Sequence, residues 1–216
     1  MTKEESVIKY YVLCNQLKHI IRTGWKNWNV QKDRIESIAE HVFGTQMLAI
    51  AMKSEYQYDV NIMKVIYMLA IHELGESLIG DLTQFQIKKE EKEKIECEAV
   101  QKILNGLLDG KKIQSLFLEF EECITNEARF AYMCDKLECD LQSKLYDEEE
   151  CVDLNKQDGN KALENRKIQE LIKSGASWST MWLQYGQQVY PYDANFIAVS
   201  DYAMKNEISD FNKRKK

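Results

Sequence analysis

The sequence predicts an all-α fold, and three observations carry that expectation. The chain holds a single proline, Pro191, and nine glycines among 216 residues, and its longest stretches contain neither. A sandwich or barrel needs turn residues far more often. Apolar residues also return at helical spacing in one segment after another. Finally, 44% hydrophobic residues suffice for a substantial core, and 30% charged residues of both signs exclude wholesale disorder.

The first helix is expected over 5–21, where Val7, Tyr11, Cys14, Leu17 and Ile21 share a stripe. Residues 22–33 read as a loop, because Thr23-Gly24 breaks the pattern and Trp25, Trp28 and Val30 anchor it. A second helix over 34–54 repeats Ile35, Ile38, Val42, Thr45 and Ala49. A third over 60–79 is apolar nearly all round, which places it at the centre of the domain, and Gly80 stops it. Residues 88–106 read as a highly charged surface helix and 112–122 as a short amphipathic one. Residues 127–146 carry Phe130, Met133, Cys134, Leu137 and Leu141 at helical spacing. The acidic stretch 147–160 is the expected flexible loop. Helices over 161–173, 178–189 and 195–207 follow, with the aromatics from Trp178 to Tyr192 read as core. The expected organisation is a domain over 1–150 and C-terminal helices over 151–216 packed on the same core. The basic residues 213–216 read as a solvated tail.

Charge and composition narrow the function. A net charge of -6, from 35 acidic and 29 basic residues, argues against tight duplex binding, which needs a basic footprint. A small anion can still be bound, because a local pocket or metal overrides the global charge. No apolar run approaches the roughly 20 residues that span a bilayer. The N-terminal Met-Thr-Lys-Glu-Glu-Ser is unlike a signal peptide. The six cysteines form no C-x-x-C pair, and the expectation is reduced thiols in the cytoplasm.

Three histidines occur, His19, His41 and His72. His72 lies on the apolar third helix and is followed at once by Glu73. A carboxylate buried there without a partner costs several kcal/mol, and a metal ion removes that cost. Glu76, four residues after His72, falls on the same face of a continuous helix, and Asp81 follows just past its end. The resulting H-E-x-x-E-x-x-x-x-D is not the zinc-protease signature. Singly, each residue reads as an ordinary packed or solvated side chain; together, in the most apolar helix, they favour a site. Asp135 is a further candidate beside the plainer reading of a surface ion pair with Lys136. Asp140, five residues on, points to a different face.

The order His41, His72-Glu73, Asp135 resembles the H…HD…D signature of HD-domain phosphohydrolases. Arg22-Thr-Gly-Trp25, Ser37-Ile-Ala-Glu-His41, His72-Glu-Leu-Gly-Glu76-Ser-Leu-Ile-Gly-Asp81 and Asp135-Lys-Leu-Glu resemble its 5′-deoxynucleotidase branch. The resemblance covers roughly 5–146 and implies an HD-type helical bundle with additional C-terminal helices. It implies that His41, His72, Glu73 and Asp135 hold one divalent cation (Mn, Co, Mg, Fe, Ni or Zn), which acts as a Lewis acid and acidifies water. By position, Glu76 orients or deprotonates the attacking water, and Asp81 contacts the sugar or supports the site. Arg22 clamps the phosphate, and Trp25 walls the pocket. The implied substrate is a nucleoside 5′-monophosphate, the products nucleoside and phosphate, and the implied assembly a homodimer.

One position departs from the signature: the doublet is His72-Glu73, one methylene longer than His-Asp. Two alternatives therefore stand beside the first reading. One is a nucleoside triphosphohydrolase, for which Lys88, Lys89, Lys92 and Lys94 supply extra basic residues. The other is an inactive fold of the same type that binds nucleotide.

Overall fold

A computed structural model describes residues 1–83 and 86–212; the basic tail at 213–216 lies outside the described residues. The architecture is all-helical, as expected. The chain forms two compact units that interleave in sequence: Met1–Thr23 with Glu36–Cys134, and Gly24–Ile35 with the chain from Asp135 onward. No described helix is long and apolar enough to cross a membrane.

In the first unit, α1 (Lys3–Asn15) opens on a capping box between Thr2 and Glu5. It ends before Ile21, contrary to the expected helix over 5–21. After a 3-10 turn at Gln16–Lys18 the chain extends, and Ile21 forms an isolated antiparallel bridge with Ser37. The Arg22 N–H donates to Glu36 O at 3.1 Å and the Ile38 N–H to Ile20 O at 2.9 Å. A short helix, α2 (Thr23–Asn27), stands where the sequence reads a loop.

Helix α3 (Ile38–Tyr56) begins four residues later than the pattern suggests, because Ser37 and Glu40 form a reciprocal capping box. Helix α4 (Ile62–Ile71) is capped by Asn61 and does not continue to Ile79. From His72 the bonding tightens: Leu74, Glu76 and Ser77 N–H groups donate to Ile71, Glu73 and Leu74 carbonyls, three residues back. A single turn of helix, α5 (Glu76–Ile79), follows, and Gly80 ends it at φ 76°, a conformation glycine adopts without strain. Helices α6 (Lys89–Leu104) and α7 (Gly110–Glu122) pack together. Ile71, Leu74, Val100, Ile103, Leu104 and Phe117 form a buried core cluster of this unit.

Helix α8 (Asn126–Glu148) carries the chain past Cys134 into the second unit. It reaches two residues beyond the expected end. Within the second unit, α9 (Arg166–Lys173), α10 (Trp178–Val189) and α11 (Ala194–Lys205) follow, with α10 packed on both neighbours. Aromatic edges hold this unit. Trp28 meets Trp178 at 5.9 Å and Trp182 at 5.7 Å between ring centroids, and Tyr192 stacks on Phe196 at 5.9 Å. The aromatics around Trp178 are therefore core, as expected. Asp140 is buried beneath them and accepts the Tyr192 hydroxyl at 3.0 Å.

The second unit yields three stability predictions. A Cβ on Gly186 would stand 2.2 Å from Asp140 Oδ2, so Gly186→Ala should lower stability by about 1–3 kcal/mol in urea titration. Gly24→Ala, whose Cβ meets nothing within 4 Å, should be close to neutral. Burial pushes the Glu148 carboxyl up, but hydrogen bonds from the Ser209 and Ile208 N–H groups, the Ser209 hydroxyl and Lys144 outweigh it and hold it down to about 2. A depressed carboxyl adds stability that is present above its unfolded value near 4.5 and lost as pH falls toward the folded one. Glu148→Gln should therefore flatten the loss of stability between those two values, read as melting temperature against pH.

Candidate metal centre

The capping box at Ser37 sets the phase of α3, so that His41 falls on its first turn facing inward and fully buried. His72 ends α4. Its Nδ1 lies 2.8 Å from the Leu69 carbonyl, which can only accept. Nδ1 therefore carries the proton, and the lone pair is on Nε2. Both histidines turn Nε2 toward Glu73: the distances to Oε1 are 3.8 Å from His41 and 3.6 Å from His72. The two rings lie 5.4 Å apart, and Phe120 backs His72 at 5.2 Å.

These separations are longer than a hydrogen bond. They are close to the spacing of neighbouring donors around one cation with bonds of roughly 2.0–2.2 Å. One ligand atom from each of His41, His72 and Glu73, all in the first unit, lies within 4.8 Å of the others. An imidazole lone pair facing a carboxylate oxygen is repulsive unless a proton or a metal cation stands between them. The donor set thus fits a divalent metal. The extra methylene of Glu73 does not remove its carboxylate from the group: Glu73 leaves from the turn after α4, and Oε1 stands near both Nε2 atoms. Asp135 is 3% exposed, and its Oδ2 pairs with Lys136 Nζ at 2.7 Å; the expected pair with Lys136 exists, with its carboxylate buried and its ammonium partly exposed. Asp140, bonded to Tyr192, is turned elsewhere.

The neighbouring residues crowd negative charge. Arg22 stands 4.0 Å from Glu73 Oε1 and 3.9 Å from Glu36 Oε2. Asp81 Oδ2 accepts the Thr23 N–H at 2.6 Å, and the Thr23 hydroxyl donates to Asp81 O at 2.9 Å. Asp81 thereby ties the loop after α5 to the segment that carries Arg22. Glu76 is 2% exposed; its carboxyl is pushed up to about 11 by burial and by Glu73 and Asp81, against the pull of Lys92 and Arg22. Carboxylate oxygens of Glu73, Glu76 and Glu96 also come within 4.8 Å of one another. Since α4 stops at Ile71, a tight turn brings Glu76 to this group, in place of the continuous helical face that the sequence suggests. Trp25 is 6% exposed, with Tyr146 at 5.4 Å and Trp178 at 6.1 Å edge-on to it; its ring is given over to packing in the second unit.

Sequence reasoning missed Glu36 and Glu96. Nothing in their local pattern separates them from solvated glutamates. The one available signal was Ser37-x-x-Glu40, which fixes the start of α3 and hence the register of Glu36 and His41.

The raised Glu76 carboxyl yields a signed prediction for metal-free protein. Its folded value lies above the unfolded one, so its contribution is greatest below about 4.5 and is lost as pH rises through the folded value. Glu76→Gln should be increasingly more stable than wild type as pH rises from 5 to 9 in chelator, by urea titration. An equal slope for the two proteins would contradict the assignment.

Known proteins resemble this chain. The model of the HD domain family matches residues 14–178. The 5'-deoxynucleotidase HDDC2 of Dictyostelium discoideum is 36% identical over 150 residues, covering 66% of this chain and 78% of that protein. The 5'-deoxynucleotidase hdd1 of Schizosaccharomyces pombe is 32% identical over 152 residues, 67% of this chain and 74% of that one. The crystal structure of the PH0347 protein from Pyrococcus horikoshii OT3 superposes with a TM-score of 0.63 at 21% identity, over 92% of this chain and 98% of that one. That last likeness is one of fold.

Proposed function

The chain belongs to the HD-domain family, and from that premise we propose that it hydrolyses nucleoside 5′-monophosphates, deoxynucleotides above all, to nucleoside and phosphate. It is a metal-dependent phosphoric monoester hydrolase. The observation that carries the reading is the convergence of two buried imidazole nitrogens on one oxygen of Glu73, with relatives of 36% and 32% identity named 5'-deoxynucleotidases.

His41, His72, Glu73 and Asp135 would hold the cation. Two imidazole nitrogens beside carboxylates favour manganese or cobalt over magnesium, which prefers oxygen donors throughout. When bound, the cation supplies Lewis acidity to the phosphoryl oxygen and to water. Arg22 offers a planar fork of donors to the phosphate oxygens. With the charge of Glu73 offset by the cation, Glu76 would be ionised, orient the attacking water and take its proton. As the water oxygen bonds to phosphorus, the P–O bond to the nucleoside breaks, and the proton that Glu76 took is returned to the departing oxygen, which leaves as the 5′-hydroxyl. Asp81 keeps the Arg22 segment docked through Thr23.

We assign the protein to the cytoplasm, where its soluble substrates are, and to a homodimer. The dimer is supported by an apolar face on the first unit. Phe43, Met47 and Ile50 on α3 are exposed beside Met63 and Tyr67 on α4, and Gln46 Nε2 ties the helices by donating to Ile66 O at 3.3 Å. Five such half-exposed side chains leave on the order of 500 Å² of apolar surface, suited to the centre of a roughly 800 Å² interface. They carry no charge, so a two-fold axis through them opposes no like charges. Met47→Asp should halve the mass seen by light scattering while turnover persists; a monomeric wild type at tens of micromolar would contradict the assignment.

For the activity, metal-stripped protein is given manganese, cobalt, magnesium or nothing, and phosphate release is measured from nucleoside mono- and triphosphates. Release from monophosphates only with metal is expected, together with its loss in Asp135→Ala. Triphosphate released from dATP would favour the triphosphohydrolase, and silence with folded, metal-loaded protein would favour the nucleotide-binding module.

A further inference from the structure

We infer that Lys92 is a positioning residue for Glu76, held in that role by Glu96; the inference rests on Glu76 acting on the attacking water. The charge pattern of α6 is that of a solvated helix, and its lysines look alike in sequence. Lys92 nonetheless turns inward. Its Nζ lies 3.6 Å from Glu76 Oε1 and 3.3 Å from Glu96 Oε1, with its side chain 28% exposed and that of Glu76 only 3%.

An i,i+4 pair such as Lys92–Glu96 is worth little when it floats on a surface. This one is anchored by the backbone. Gly75, in the turn between α4 and α5, lies against α6 so closely that a Cβ there would stand 3.2 Å from Glu96 O and 3.3 Å from Glu96 Cα. Glu96 is 9% exposed. The turn that presents Glu73 and Glu76 is thus pressed onto α6 where Glu96 leaves it, and the ammonium one helical turn earlier reaches across to Glu76. At these distances the ammonium is in ion-pair range of both carboxylates at once. With Oε1 of Glu76 engaged by Lys92, Oε2 is the oxygen left for water, so the Lys92–Glu96 pair selects the face that Glu76 presents.

The test compares Lys92→Met, Lys92→Arg and Glu96→Gln by kcat and KM on a deoxynucleoside monophosphate, with manganese affinity measured in parallel by calorimetry. If Lys92 positions Glu76, Lys92→Met lowers kcat by roughly 10- to 100-fold, a part of what a general base contributes. KM and manganese affinity then stay within about threefold, Lys92→Arg recovers most of the loss, and Glu96→Gln falls between. A rise in KM at unchanged kcat would make Lys92 a substrate contact and overturn the inference. Unchanged constants in all three variants, or a loss of manganese affinity that accounts for the lost rate, would overturn it as well. Should Lys92→Met not fold, Lys92→Arg and Glu96→Gln carry the same comparison. Failure of the proposed function would be seen separately, as absent metal-dependent turnover in wild type.

Discussion

Negative charge buried around the turn after α4 is the constraint on which the first unit depends. Glu36, Glu76 and Glu96 are each under 10% exposed, and Glu73 stands among them with two imidazoles facing its Oε1. Uncompensated, such a group would cost more than a marginally stable domain can supply. The fold brings cations from separate segments: Arg22 from the extended stretch after α1, and Lys92 from α6. Even so, the Glu76 carboxyl is driven far above its usual range. A divalent cation beside His41, His72 and Glu73 is the charge that the arrangement calls for, and the same charge is what phosphate ester hydrolysis uses.

The local devices serve that centre. The capping box at Ser37 sets the rotation of α3 and hence the direction of His41. The hydrogen bond from His72 Nδ1 to Leu69 O fixes the tautomer. Asp81, held by Thr23, keeps the Arg22 segment in place. The longer arm of Glu73 is accommodated because it leaves from a turn and not from the middle of a helix, so the His-Glu doublet keeps its carboxylate by both imidazoles. That geometry favours an active enzyme over an inactive relative.

Much of this was legible in the sequence, and the exceptions have physical reasons. The helices α3, α4 and α8 announce themselves by periodic apolar residues, and the His-Glu pair stands out because it interrupts the most apolar of them. The break at Ile71 was hidden, since Leu74, Leu78 and Ile79 keep a helical rhythm through a turn whose hydrogen bonds have shifted to three-residue spacing. The extended pairing of Ile21 with Ser37 is a contact between distant segments that leaves no local trace. Lys92 and Glu96 were read as solvated because burial of one face of a charged helix depends on what packs there, here Gly75. Trp25 was read as a pocket wall from its place beside Arg22; the enclosure by Tyr146 and Trp178 depends on helices more than a hundred residues away.

The most direct test of the central claim is anomalous diffraction from crystals soaked in manganese, recorded near the manganese absorption edge. The account predicts a peak within roughly 2.0–2.4 Å of His41 Nε2, His72 Nε2 and a carboxylate oxygen of Glu73 and of Asp135. No peak at that position in metal-saturated crystals, or density only among Glu73, Glu76 and Glu96, would contradict it.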